Sequence, residues 1–346
     1  EEIESTVTQP WSIMEVCGGQ THSVVKNGII EMLPDEVTMI HGPGCPVCVT
    51  PLTLIDKAIY LATEKGVILC SFGDMLRVPG SKKSLLEAKA EGADVRVLYS
   101  PLEAVKIAED NPDKEVVFFA VGFETTAPAN ALSVIHAHKR GVKNYSILAS
   151  HVLVPPAIKA VIDDEESKID GFLAAGHVCT IMGNAEYHPI SEEFDVPIVV
   201  TGFEPLDVLQ GILMVLRQLE QKKAEVENQY ARIVREEGNP DAQKVIHEVF
   251  EVKNQMWRGI GEIPQSGYGV KPKYADYDAT RKFSVNIEEA PEHPDCISGQ
   301  IMKGIKKPFE CAQFGKTCNP TNPLGAPMVS SEGSCAAFFH FSGMVD

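Results

Sequence analysis

Between Ser12 and about Gly202 the chain alternates short apolar, β-branched runs with stretches of helical period. That alternation leaves few folds open. A helix placed between two strands returns the chain to the same end of the sheet, so such strands pair in parallel and the class is α/β. The runs predict strands near Ser12–Val16, Val37–Ile40, Val67–Ser71, Asp94–Leu98, Val116–Val121, Tyr145–Ala149, Gly171–Ala175 and Val196–Thr201. Helices fit between them at Leu52–Lys65, Ser84–Gly92, Pro128–Arg140 and Pro155–Asp163, the last three opening on Ser or Pro as helix starts prefer. Phe118–Glu124 and Ile198–Glu204 share one theme, an apolar strand, then Gly-Phe-Glu, then a helix, which fits either two related halves or chance. From Leu206 to roughly Glu236 the pattern is a long amphipathic helix, broken at Gly238-Asn239-Pro240 and resumed to about Val252. After Trp257 no period survives among the glycines and prolines. The tail from about Gly259 to Asp346 therefore reads as a small separate domain that needs something besides a hydrophobic core.

In open parallel sheets ligands bind beyond the carboxyl ends of the strands, where loops converge and helix N-termini point at the site. Most of the unusual polar residues fall there. Cys17 follows the first expected strand and Cys45 and Cys48 the second; Asp74 and Arg77, Glu124, His151, His177 and Glu204 follow later ones. One cleft could gather them. Cys17, in Glu15-Val16-Cys17-Gly18-Gly19-Gln20-Thr21-His22, precedes a helical pattern over Thr21–Ile30 whose positive end favours a thiolate. Such a thiolate is a nucleophile or soft-metal ligand; the bland alternative is a small buried residue in a tight turn.

His41-Gly42-Pro43-Gly44-Cys45-Pro46-Val47-Cys48 holds the one Cys-x-x-Cys of the sequence. Two thiols at that spacing can close and reopen a disulfide, which is reversible two-electron chemistry. Half of a zinc site and structural coincidence are the other readings. Cys70 and Cys179 sit in or beside apolar runs and suit packing. His22, His41, His151 and His177 each have a bland role bonded to backbone, and Glu124 and Glu204 can serve as helix-start carboxylates. In the tail, Cys296, Cys311, Cys318 and Cys335 are the only cysteines after Cys179. Four thiols in a loop-rich segment suit an iron–sulfur cluster or a four-cysteine zinc site, and their wide gaps fit the cluster better.

Nine cysteines in 346 residues, an odd number, fit a reducing compartment with metal or redox use rather than a disulfide framework. A net charge of -17 argues against nucleic acid and anionic membranes, so partners are expected to be proteins or small molecules. The N-terminus lacks a signal-peptide pattern and no apolar run reaches the roughly 18 residues of a membrane span, which predicts a cytoplasmic protein. A chain that starts at Glu1 leaves a removed leader open. Neither a Gly-x-Gly-x-x-Gly after a strand nor a Walker phosphate loop is present, so nucleotide binding has no support in the sequence.

The strings around Cys17 and Cys45, together with Phe72-Gly73-Asp74-Met75-Leu76-Arg77-Val78-Pro79-Gly80, Gly122-Phe123-Glu124-Thr125-Thr126-Ala127-Pro128 and the four tail cysteines, resemble the HypD family of hydrogenase maturation factors. The resemblance spans almost the whole chain. It implies two parallel-sheet α/β domains facing a cleft plus a small loop-rich iron–sulfur domain, with boundaries near 1–120, 121–258 and 259–346 and the chain free to cross between halves. It implies a redox scaffold, an accessory protein rather than a free-standing metabolic enzyme, on which an Fe(CN)2CO unit is assembled with a small HypC partner and cyanide from a HypE protein. By the same resemblance Cys17 looks like the iron-binding thiol, Cys45 and Cys48 like the redox dithiol, and Cys296, Cys311, Cys318 and Cys335 like ligands of a 4Fe–4S cluster. His22, His41 and Glu124 join the expected site, the two histidines tuning thiols or donating protons. Cys179 stands where the family pattern leads one to expect Ser. The rival activities are an iron–sulfur-linked thiol-disulfide oxidoreductase acting on proteins, and a structural module with zinc in the tail.

Overall fold

The computed structural model describes residues 1–287 and 290–343; the expected tail domain, 259–346, runs over five residues outside that set. In chain order the strands are β1 Trp11–Glu15, β2 Val37–His41, β3 Ile68–Ser71, β4 Val95–Val97, β5 Val116–Gly122, β6 Tyr145–His151, β7 Gly171–Ala175, β8 Ile198–Thr201, β9 Val226–Asn228, β10 Phe250–Trp257 and β11 Gly261–Val270. The eight expected strands are all present, displaced by no more than two residues at either end. The class is α/β with parallel sheets.

The chain forms two compact units, each assembled from separated stretches. Glu1–Cys48, Val154–Pro240 and the chain from Asp295 onward make the first; Val49–Leu153 and Asp241–Pro294 make the second.

In the first unit five parallel strands run in the order β2-β1-β7-β8-β9. Every residue of β7 is buried, as expected for a parallel strand covered on both faces. The helices Gly18–Lys26 and Pro205–Glu220 lay Val24, Val208, Ile212 and Val215 against Ile13, Leu173 and Val199 of the sheet. A second small core joins Ile301, Met328 and Ala336 in the tail. Of the tail expected over 259–346, the part from Asp295 onward belongs to this unit and 259–294 to the second.

In the second unit the order is β4-β3-β5-β6, again parallel, with β5 wholly buried. β10 and β11 form an antiparallel hairpin whose Trp257 donates its indole N–H to Ser266 Oγ at 2.8 Å.

Two expectations give way. The helix read from Leu206 to Glu236 ends at Glu220; Lys222 turns left-handed (φ 54°), and β9 then pairs with β8. The helix resumed after Pro240 stops at Val249, and Phe250–Trp257 is a strand. Among the described residues no helix is long and apolar enough to cross a membrane.

Candidate thiol and metal site

The site grows from the carboxyl end of β1, where an apolar strand finishes on Glu15. That side chain is fully buried, and three donors converge on it: the Cys17 amide at 2.9 Å, His41 Nδ1 at 2.7 Å and the Thr21 hydroxyl. A buried carboxylate has to be bonded in this way, and here the bonding fixes the Cys17 turn. Cys17 is the N-cap of the helix Gly18–Lys26. The loop after β2 clamps it from the other side: the Gly18 N–H donates to the Gly44 carbonyl at 2.7 Å, and a Cβ on Gly44 would fall 2.2 Å from the Cys17 nitrogen. Only glycine permits that approach.

His177, in the helix Gly176–Met182 after β7, brings Nδ1 to 3.6 Å from Cys17 Sγ. Its ring packs on Phe203, which follows β8, with centroids 5.1 Å apart. Burial lowers the His177 pKa to about 4, so the imidazole is neutral at pH 7. Burial pushes the Cys17 thiol far above its ordinary range, and the charges of Glu15 and Glu332 add to this, while hydrogen bonds from the helix-start amides of Gln20 and Gly19 pull it down. The helix start thus acts in the expected direction but is outweighed by desolvation.

Cys45 immediately precedes the helical turn Pro46–Val49 and Cys48 lies within it; both are buried and unbridged. The Cys48 N–H points at Cys45 Sγ, 3.3 Å away. The Cys48 thiol is raised by burial first, then by its bond to Cys45 and the nearby charges of Cys45, Cys335 and Glu332. Segment 332–335 of the tail is therefore within electrostatic reach of the dithiol.

Cys296, Cys311, Cys318 and Cys335 line one small cavity, closed by Ile297, Ile301, Phe314, Leu324 and Met328. Burial raises the Cys335 and Cys318 thiols, and Cys296 and Cys311 raise both further. Among the described residues no three His, Cys, Asp or Glu side chains converge on a single ion-sized point. A cubane cluster asks for something different, four thiolates spread around a volume, each meeting its own iron. The surroundings fit that group. The Leu324 N–H donates to Cys318 Sγ at 3.4 Å, Ser298 Oγ lies 3.4 Å from Cys296 Sγ, and a Cβ on Gly325 would sit 2.4 Å from that same sulfur. Such contacts orient and stabilise thiolate ligands.

The first unit thus holds Cys17, Cys45, Cys48, the four tail thiols and both expected histidines, whereas Glu124 belongs to the second. Glu124 is buried just past β5. His41 supports Cys17 through Glu15. His22 turns to the tail instead, Nδ1 3.2 Å from the Ser331 carbonyl and the ring edge-on to Phe341. In the second unit Asp74 and Arg77 form an exposed ion pair at 3.0 Å, and His151 Nε2 meets Asn130 Nδ2 at 2.7 Å. Cys70 and Cys179 are buried within β3 and the helix Gly176–Met182. Sequence reasoning gave Glu15 and Glu332 no part and His177 no particular partner. For Glu15 there was a signal, a carboxylate closing an otherwise apolar run.

Fold and site together define a cysteine-rich α/β protein whose thiol centre lies at the carboxyl edge of a parallel sheet. Residues 1–342 match the HypD family, described as the hydrogenase formation hypA family, and the chain belongs to it. Among its relatives, the hydrogenase maturation factor HypD of Rhodobacter capsulatus is 47% identical over 351 residues, covering 99% of this chain and 92% of that protein. HypD of Azotobacter vinelandii is 47% identical over 345 residues (98% and 91%), and HypD of Escherichia coli is 45% identical over 340 residues (98% and 91%).

Proposed function

We propose that the chain is a hydrogenase maturation factor that acts as a redox scaffold: an Fe(CN)2CO unit is assembled on it together with a small HypC-like partner, with cyanide from a HypE-like donor. The observation that carries this reading is the arrangement of seven of the first unit's eight thiols in three groups. A lone thiol faces a neutral imidazole, a dithiol lies within electrostatic reach of Cys335, and four thiols share one cavity.

In this reading the iron is cargo, held at Cys17 Sγ and shared with a thiol of the partner. A soft, low-spin iron carrying cyanide and carbon monoxide favours thiolate, and binding it offsets the desolvation that keeps Cys17 protonated. Glu15 and Gly44 hold the sulfur in place, and the His177 ring stands beside it, Nδ1 at 3.6 Å. Closing Cys45 and Cys48 to a disulfide breaks two S–H bonds and gives up two electrons and two protons. The four tail thiols would hold a 4Fe–4S cluster, which when bound supplies electrons singly.

Iron and acid-labile sulfide, measured on anaerobically purified protein and on a Cys311→Ala/Cys318→Ala variant, test the cluster. About four of each per chain, lost in the variant, is expected; zinc or no metal in the parent protein sinks it. Separately, Cys45→Ala/Cys48→Ala should abolish hydrogenase maturation in cells while the protein stays folded. Retained maturation refutes a role for the dithiol, and disulfide reductase activity on proteins without partner binding would favour the oxidoreductase instead.

A further inference from the structure

The echoed Gly-Phe-Glu stands at the carboxyl end of β5 in one unit and of β8 in the other, and nothing above gives its phenylalanines a part in the chemistry. In the second unit Phe123 is 3% exposed and its ring meets Trp257 with centroids 6.4 Å apart, an ordinary core contact. Phe203 is different. It lies past the end of β8, only half-buried, and its neighbours belong to the thiol site.

Three surfaces meet its ring. One is the His177 imidazole, with centroids 5.1 Å apart. The second is the helix start after Cys17: a Cβ on Gly19 would fall 3.1 Å from the Phe203 ring and 3.6 Å from Cys17 Sγ, so ring and sulfur flank the same glycine. The third is Tyr230, edge-on at 6.5 Å, within the range where aromatic pairs attract beyond their buried area. Tyr230 is itself seated. Cβ atoms on Gly176 and Gly202 would come 2.7 and 2.8 Å from its ring, and the Arg232 guanidinium lies 4.4 Å over it, held by bonds of 2.8 and 2.6 Å to Asp207. Gln20, fully buried in the helix that Cys17 caps, ties the strand ends together: its Nε2 donates to the Ala174 carbonyl at 3.2 Å and to the Thr201 hydroxyl at 2.6 Å. Those residues lie three before His177 and two before Phe203.

We infer that Phe203 is a positioning residue for Cys17: backed by Tyr230, its ring holds the His177 imidazole against the Cys17 sulfur, while Gln20 fixes the two strand ends that carry the rings. Cys17 is 2% exposed with Nδ1 of His177 3.6 Å from its sulfur, so the place of the imidazole decides how far the sulfur opens to what it binds. The contact needs the ring in place whichever nitrogen carries the proton. To the extent that Cys17 holds iron, the inference rests on the function proposed above.

The test uses the full chain, purified anaerobically, with iodoacetamide as the probe and no partner present. Alkylation of the Cys17 peptide is followed by mass spectrometry in the parent, Phe203→Leu, Phe203→Tyr, Tyr230→Leu, His177→Ala and the Phe203→Leu/His177→Ala double variant, with Trp11 fluorescence in the Trp257→Phe background showing that the first unit is folded. Phe203→Leu and Tyr230→Leu should each raise the rate about tenfold, the shift that loss of an aromatic pair produces in a local opening equilibrium. Phe203→Tyr keeps the ring and should return the parent rate. In the His177→Ala background Phe203→Leu should add less than about twofold, because residues that act through one contact are not additive. Parent rates in both leucine variants, or a tenfold effect of Phe203→Leu that persists without His177, overturn the inference. If Phe203→Leu does not fold, Tyr230→Leu and its own cycle with His177→Ala decide by the same criteria. With neither iron nor partner in the assay, failure here leaves the redox scaffold standing, and a chain that never carries iron leaves this result unchanged.

Discussion

Replacing Glu15 by Gln removes a charge without changing shape, so its cost can be worked from the hydrogen bonds. Oε1 accepts from His41 Nδ1 and the Thr21 hydroxyl, and Oε2 accepts from the Cys17 amide. Glutamine has one oxygen and one NH2. Its better orientation keeps the oxygen under His41 and Thr21 and turns the NH2 against the Cys17 N–H, leaving a buried donor orphaned at a cost of about 1–3 kcal/mol. The two retained bonds lose their charge assistance, roughly 1 kcal/mol each. The first unit should therefore lose about 3–5 kcal/mol, or on the order of 10 °C in midpoint for a unit of its size. The chain has two tryptophans, Trp11 on β1 and Trp257 in the second unit, so in a Trp257→Phe background Trp11 fluorescence reports the first unit alone. Mass-spectrometric alkylation of the Cys17 peptide supplies a second readout, because a freed turn exposes the sulfur. If Glu15→Gln melted within about 2 °C of its parent and Cys17 reacted at the parent rate, the carboxylate would not be what holds the thiol.

Three other outcomes follow from the same structure. Burial, aided by Lys253, lowers the His151 pKa to about 3, below the ordinary 6.5; the unfolded chain then takes up a proton that the folded one refuses, and stability falls with pH from about 6.5 toward 3, by up to about 1.4 kcal/mol per pH unit. Urea unfolding of the second unit, followed at Trp257, should show that loss between pH 7 and pH 5, and His151→Gln should flatten it. Gly44→Ala drives a Cβ into the Cys17 backbone, so the loop has to move; a loss of about 2 kcal/mol or more with faster Cys17 alkylation is expected, and an unperturbed protein would contradict the clamp. Arg232 holds the buried Asp207 carboxyl below its usual range, with Gln229 helping, so this support is complete above pH 4 and lost as pH falls through the depressed pKa. Asp207→Asn should cost about 1–3 kcal/mol at pH 7 and progressively less as pH falls through the depressed pKa, by urea midpoints read at Trp11.

The same contacts explain where the sequence could be read and where it could not. Parallel strands buried on both faces appear as unbroken apolar runs, so β5 and β7 announce themselves; their loops then place Cys17, Cys45 and His177 at one sheet edge by topology alone. The stretch Gln221–Glu227 carries the opposite lesson. Gln-Lys-Lys-Ala-Glu-Val-Glu is good helix-forming sequence, and nothing local ends the helix at Glu220. What ends it lies elsewhere: β8 offers an open edge to Val226–Asn228, and the buried Asp207 captures Gln229 and Arg232, partners a continuing helix would carry out of reach. The hairpin Phe250–Val270 was hidden for another reason, since the register shifts between Lys253 and Gln255 and Gln265 is left-handed, which scrambles the two-residue alternation that marks a strand. The site divides in the same way. Thiols declare themselves because few residues do their chemistry, whereas Glu15 and His41 act through a hydrogen-bond network that exists only once β1 and β2 have paired in register, Glu15 beside His41.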